Sequence, residues 1–258
     1  MASRFDERLD GAVQCLYEAY ATNARGGEAT GWNLRFLEAV QSASTQFHAQ
    51  LLQDAFVLMA TGGRRKGQFV EIGVGDGVNL SNTLTLERDF GWRGLLVEAN
   101  PHFWPAIEQA RPLALLAKAA AMPQAAGLCS FRHVPSFPEI SSLSQFASGD
   151  HHDRSVFVEH QVESVAVGKL LKDSGIRQDV DYISIDVEGP DVEILEAVLV
   201  AGYRPQVLTI EHNRVEERIE KIKSLLRDDY EVVLSSASNW DLWAVEKNLA
   251  AERRRFPG

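Results

Sequence analysis

Residues 68–83, QFVEIGVGDGVNLSNT, place an acid, Glu71, two positions before a run in which Gly73, Gly75 and Gly77 occupy every second place. Glycine accepts a positive φ and lets a ligand approach the backbone more closely than any Cβ would. Two ligand classes use such a loop, a pyrophosphate dinucleotide or a nucleoside with an amino-acid tail. The dinucleotide fingerprint needs its third glycine three positions after the second, where this chain has Val78. Glu98, 25 residues past Gly73, is placed to accept hydrogen bonds from both hydroxyls of a ribose. A carboxylate at Glu71 would repel a pyrophosphate but suits a ligand carrying an ammonium and a sulfonium, the charges of S-adenosylmethionine.

A second group of chemistry-bearing residues closes two later apolar runs. IDVEGPD and IEHN bring Asp186, Glu188, Glu211, His212 and Asn213 to strand carboxyl ends, on the rim expected for the glycine loop. Methyl transfer from a sulfonium is an in-line displacement, so the site must align an oxygen and make it nucleophilic. His212 could take the proton as a general base, oriented by Asp186 or Glu211. Alternatively Asp186, Glu211 and Asn213 could hold Mg²⁺ or another divalent cation, which lowers the pKa of a coordinated hydroxyl. A purely structural role is also open, with Asp186 and Glu188 at the start of the helix PDVEILEAVLV, where acids favour the N-terminus. His151 and His152, in GDHHDRS, read as a solvated turn.

The elements that must position these groups follow from periodicity. QFVEIG, GLLVEAN, LALLAKA, DYISIDVEG and QVLTIEHN read as buried strands, with SNTLTLERDF, PHFWPAIEQAR, PDVEILEAVLVAG and RVEERIEKIKSLLRDDY as intervening helices. That alternation predicts an α/β fold with a doubly wound, mostly parallel sheet. YEVVLSSAS and NWDLWAVEK, joined without a helix, predict an antiparallel hairpin that brings the Rossmann-like sheet to seven strands. Residues 4 to 60 read as two or three amphipathic helices, with Phe5, Leu9, Val13, Leu16 and Tyr20 on one stripe. We expect residues 1–60 to form a helical cap or lid, with Gln50, Gln53 and Asp54 as lid contacts, and residues 61–258 to form the ligand-binding unit. Residues 132 to 162 show no clean period and read as an irregular insertion over the site.

Composition narrows the partners. The 258 residues carry a net charge of −10, which argues against a general nucleic-acid binder, since that needs a positive surface. The two cysteines, Cys15 and Cys129, are far apart and lack metal-ligand spacing, as expected of a reducing cytoplasm. No window approaches the ~18 apolar residues of a membrane span, and the first residues lack a secretion signal, so we expect a cytoplasmic protein with no membrane partner.

QFVEIGVGDGVNLSNTLTLERDFGWRGLLVEANP, DYISIDVEGPDVEILEAV and LTIEHN, in that order, resemble the FkbM family of S-adenosylmethionine-dependent methyltransferases. The resemblance spans roughly residues 44 to 213. It implies that Glu71, Gly73, Gly75 and Asn82 surround the methionine portion of the cofactor and that Glu98 holds its ribose. It further implies that Ala119 or Lys118 lies beside the adenine and that Asp186 sits near the methyl-transfer centre. The expected activity is O-methylation of a hydroxyl on a small molecule, a secondary metabolite or sugar, with the N-terminal helices offering a homo-oligomer contact. Two rival readings are a nicotinamide-dependent oxidoreductase on a similar sheet and an inactive nucleoside-binding module.

Overall fold

The computed structural model describes residues 13, 14, 17, 31–42, 46–148 and 152–255, so most of the first expected helix, with Phe5, Leu9, Leu16 and Tyr20, and also Cys15 and His151, lie outside the described residues. Helices α1 (Gly31–Ser42) and α2 (Gln53–Thr61) lead into β1 (Gln68–Ile72), α3 (Leu84–Phe90), β2 (Arg93–Val97), α4 (Trp104–Ala110) and β3 (Leu115–Ala117). Four strands follow, β4 (Ala120–Met122), β5 (Gly127–His133), β6 (Ser142–Leu143) and β7 (Val158–Ala166). Alternation then resumes with α5 (Val167–Asp173), β8 (Tyr182–Ile185), α6 (Asp191–Val200), β9 (Val207–Glu211) and α7 (Glu216–Leu226). The chain ends with β10 (Tyr230–Val233), the short α8 (Ser235–Ser238), β11 (Asp241–Glu246) and α9 (Lys247–Arg255).

The main sheet has seven strands in the order β10-β11-β9-β8-β1-β2-β3. The pairs from β9 through β3 are parallel, and β11 runs antiparallel to both β9 and β10. The expected doubly wound sheet with its terminal hairpin is therefore present, and a turn of helix stands in the hairpin connection. Residues 132 to 162 are not irregular throughout, since they hold the end of β5, the two-residue β6 and the start of β7. β5 and β7 pair antiparallel along their length, and with β4 and β6 they make a second, four-stranded sheet. Only Val162 and Ser164 among the residues of β7 are buried, so its sequence carries too weak an apolar alternation to read as a strand.

Side-chain alternation decides what lies on each face of the main sheet. Val70, Ile72, Leu95, Val97, Ile183, Ile185, Leu208 and Ile210 face a core built with α5, α6 and α7. Phe69, Leu96, Tyr182, Val207, Trp243 and Val245 face the other core, against α1, α2 and α9. Phe56 of α2 stacks on Trp243 with ring centroids 4.8 Å apart, so α2 is built into this core. Glu71, Ser184, Thr209, Glu211 and Asp241 share strand parity with the second set, which gathers the buried polar residues of the sheet on the α2 side. Among the described residues, no helix is long and apolar enough to cross a membrane.

Candidate functional site

The loop after β1 turns through three glycines of positive φ, Gly73 at 85°, Gly75 at 61° and Gly77 at 79°. At Gly73 a Cβ would overlap the backbone carbonyl oxygen of Asp186, whereas at Gly75 the same direction is open space. Glu98, just past β2, accepts from the backbone N–H groups of Val74 and Gly75 through Oε2, each at 2.9 Å, and from Asn100 N–H through Oε1 at 2.6 Å. A carboxylate offers about four lone-pair sites, so roughly one remains for a ligand hydroxyl, where the sequence alone suggests two. Burial raises the Glu98 pKa to about 7 in spite of these three donors.

Glu71 lines the cavity, but most of its acceptor capacity is taken by the chain. It accepts from Asn82 N–H at 2.7 Å, Ser81 Oγ at 3.1 Å and Thr83 Oγ1 at 2.5 Å. Arg111, itself buried, stands 3.9 Å away and binds Glu87, the Gly77 carbonyl, Ser81 and Thr83. Burial raises the Glu71 pKa, with Arg111 opposing the shift. This knot ties the glycine loop to α3. Arg111 and Glu87 carry no sequence signal, because only the fold brings them beside Glu71. Asn82 donates through Nδ2 to Ser184 Oγ at 2.8 Å, while its Oδ1 is buried with no hydrogen-bond partner. Asn82 lines the cavity, and an acceptor with no partner of its own suits an ammonium donor. Ala119 lines the same cavity, whereas Lys118 pairs with Glu108 at 2.7 Å and lies over the Trp104 ring.

At the ends of β8 and β9, Asp186, Glu188 and Glu211 offer carboxylate oxygens that all lie within 4.8 Å of one another. Burial, reinforced by the neighbouring acids, holds Asp186 and Glu211 well above the usual carboxylate range. Asn213, expected as a metal ligand, lines the cavity beside this cluster, and its Nδ2 donates to Glu211 Oε2 at 2.8 Å and Glu188 Oε2 at 3.3 Å. Glu188, not among the expected ligands, is the third carboxylate of the cluster. Glu188 also accepts from Arg154 Nη2 at 2.8 Å. Neither Asp186 nor Glu188 caps α6. Asp191, the first residue of α6, instead turns back to accept from Val187 N–H at 2.8 Å and Gly189 N–H at 2.9 Å in the preceding loop.

His212, expected as the general base, is not among the residues lining the cavity, whereas Asp186 and Glu211 are. It follows Glu211 by one residue, and alternation sends the two side chains to opposite sides. Its Nδ1 accepts from Arg214 N–H at 2.9 Å, and burial lowers its pKa.

These groups surround a cavity of about 400 Å³ at the carboxyl ends of β1, β2, β8 and β9. Gln50 and Gln53 line it from the N-terminal side, while Asp54 is buried behind them, accepting from His48, Ala49 and Thr85. The second sheet and its loops add Phe131, Phe137, Ile140 and Leu143 as an apolar wall. His152, read from sequence as a solvated turn, lines the cavity with Nε2 3.8 Å from Glu188.

The model of the methyltransferase FkbM domain matches residues 71–241. A search of curated proteins finds no match. Among solved structures, the chain is similar to SAH-bound methyltransferase PaMTH1 of Podospora anserina, at 10% identity over 84% of this chain and 88% of that one, with a TM-score of 0.45. It is also similar to precorrin-6y C5,15-methyltransferase of Geobacter metallireducens, at 16% identity over 74% and 78%, with a TM-score of 0.41. A third similarity is to the fibrillarin pre-rRNA processing protein of Methanococcus jannaschii, at 13% identity over 71% and 66%, with a TM-score of 0.39.

Proposed function

The chain belongs to the FkbM methyltransferase domain family and is an S-adenosylmethionine-dependent methyltransferase; from that premise we propose that it methylates a hydroxyl of a small molecule bound beside Asp186 and Glu211. The observation that carries this reading is the position of the two raised carboxylates on the wall of the cavity that also contains the glycine loop and Glu98. In the proposed arrangement Gly73 and Gly75 carry the backbone past the methionine end, Asn82 Oδ1 accepts from its ammonium, Glu98 accepts from a ribose hydroxyl, and Ala119 borders the adenine.

The cofactor supplies a methyl group on a positive sulfur, which leaves as a neutral thioether when an oxygen lone pair forms the new C–O bond. The chain's part is to align that oxygen and take its proton. A carboxylate whose pKa is raised is a stronger base than an ordinary one, and Asp186 or Glu211 in its ionised form would accept the proton. The apolar wall of Phe131, Phe137 and Leu143 holds the body of the acceptor and excludes water from the methyl.

The three-carboxylate cluster supports a second reading, in which Asp186, Glu188 and Glu211 would hold a divalent cation, whose charge would lower the pKa of the acceptor hydroxyl. Loss of turnover in chelator with recovery in Mg²⁺ would favour it, and indifference to chelator would favour the carboxylate base. The main test is transfer of labelled methyl from S-adenosylmethionine to a panel of alcohols, phenols, sugars and amines. Label in an ether is expected, while label confined to nitrogen would overturn the hydroxyl assignment.

A further inference from the structure

Behind the wall formed by Glu98 lies a short relay into the second sheet. Asn100 N–H donates to Glu98 Oε1 at 2.6 Å, and the Asn100 side chain meets His133 Nδ1 of β5 at 3.0 Å. The direction of that contact is determined by a third group. His102 N–H donates to Asn100 Oδ1 at 3.2 Å, which assigns the amide oxygen and turns Nδ2, a donor, towards the histidine. His133 Nδ1 must therefore be a lone pair, and its proton sits on Nε2. A protonated ring would set an N–H against an NH₂.

The surroundings of His133 are built for that neutral form. The ring is buried at 7% exposure. His102 stacks on it with centroids 4.7 Å apart, and His160 of β7 approaches at 6.1 Å. Arg132 and its register partner Glu159 occupy alternate positions and so point to the other face of the second sheet. The titratable groups facing His133 are thus two more imidazoles. Burial, then His102 and His160, lowers its pKa.

We infer that His133 is a positioning residue for the cofactor site: as an Nδ1 acceptor it holds the Asn100 amide, Asn100 holds Glu98, and protonation of this one ring loosens the nucleoside wall. The inference rests on the proposed contact of Glu98 with the ribose.

The test is calorimetric binding of S-adenosylhomocysteine to wild type, His133→Gln, His133→Phe and Glu98→Gln between pH 8 and 5.5. Gln can still accept from Asn100 but cannot titrate, and Phe can do neither. At pH 8 the Gln variant should bind within about threefold of wild type and the Phe variant about tenfold more weakly, the size of one lost hydrogen bond. On acidification the wild-type Kd should rise towards that of the Phe variant, while Gln keeps its affinity relative to Phe. Comparing variants at each pH cancels the titration of Glu98, which they share.

Linkage supplies a measurement on wild type alone. If protonation weakens binding about tenfold, S-adenosylhomocysteine must lower the His133 pKa by about one unit, read by NMR. No shift, or Kd ratios that stay constant with pH, would overturn the inference. Normal binding by Glu98→Gln would remove the wall itself and the inference with it, whereas weak binding by Glu98→Gln with unaffected His133 variants would retain the wall and reject the relay.

Discussion

The carbonyl oxygen of Asp186 occupies the place where a side chain on Gly73 would begin, so the glycine loop after β1 and the acidic end of β8 are in direct backbone contact. The two halves of the proposed site, donor cradle and acceptor acids, are thereby held in one register. Gly73→Ala should cost more than the ~1–3 kcal/mol of an unfavourable backbone conformation, because steric overlap adds to it. Gly75→Ala, with positive φ but open space, should cost only ~1–2 kcal/mol. Urea denaturation of both variants checks this, and equal costs would contradict the close approach.

Asp186→Asn and Glu211→Gln should lower kcat by ~10²–10⁴ if one of them takes the acceptor's proton. The same variants should leave the Kd of S-adenosylhomocysteine within a few fold. His212→Ala should do the reverse of what its sequence position suggests, leaving kcat nearly intact and costing ~1 kcal/mol through the lost bond to Arg214 N–H. A large fall in kcat for His212→Ala would return the base to that residue.

Asp241 is buried beside Gln53, and burial raises its pKa to about 7 although Gln53 Nε2 donates to it at 2.9 Å. Between the ordinary aspartate value of 3.8 and about 7 the folded state holds a proton that the unfolded state has released. Its contribution to stability is therefore present at low pH and lost as pH rises through 7. Asp241→Asn, which keeps an acceptor for Gln53, should gain stability relative to wild type between pH 5.5 and 8. Thermal denaturation at the two pH values reads the difference, and a widening in favour of wild type would show the carboxylate to be stabilised as an anion.

Phe56→Ala should destabilise the protein by ~3–5 kcal/mol, the range for a large ring removed from a packed core. Phe56 and Trp243 are fully buried and stacked, so α2 should unfold together with the sheet. A separate early transition in chemical denaturation, with the sheet intact, would instead make α2 part of a detachable cap.

Much of the fold is readable in the chain because the central strands are apolar on both faces and their helices carry clear period. Val70, Ile72, Ile183 and Ile185 are strand-like by local chemistry alone. The glycine positions, Glu98 and Asp186 are readable for a related reason: strand ends in such a sheet converge on one rim, so order along the chain predicts neighbourhood. The second sheet was not readable, since β5 and β7 bury few apolar residues and gain their order from pairing with each other across a long connection.

Sequence by itself determined the residue types at the rim and the strand parity that puts Glu71, Ser184, Glu211 and Asp241 on one side. It could not say which of these groups are already satisfied. Arg111 with Glu71, Asn213 with Glu188, and His133 with Asn100 are all pairings between side chains brought together only by packing. Whether a carboxylate or imidazole is a reagent or a strut depends on who donates to it and how much water reaches it. Both are properties of the closed tertiary structure, because burial and hydrogen-bond partners do not exist until the chain has folded.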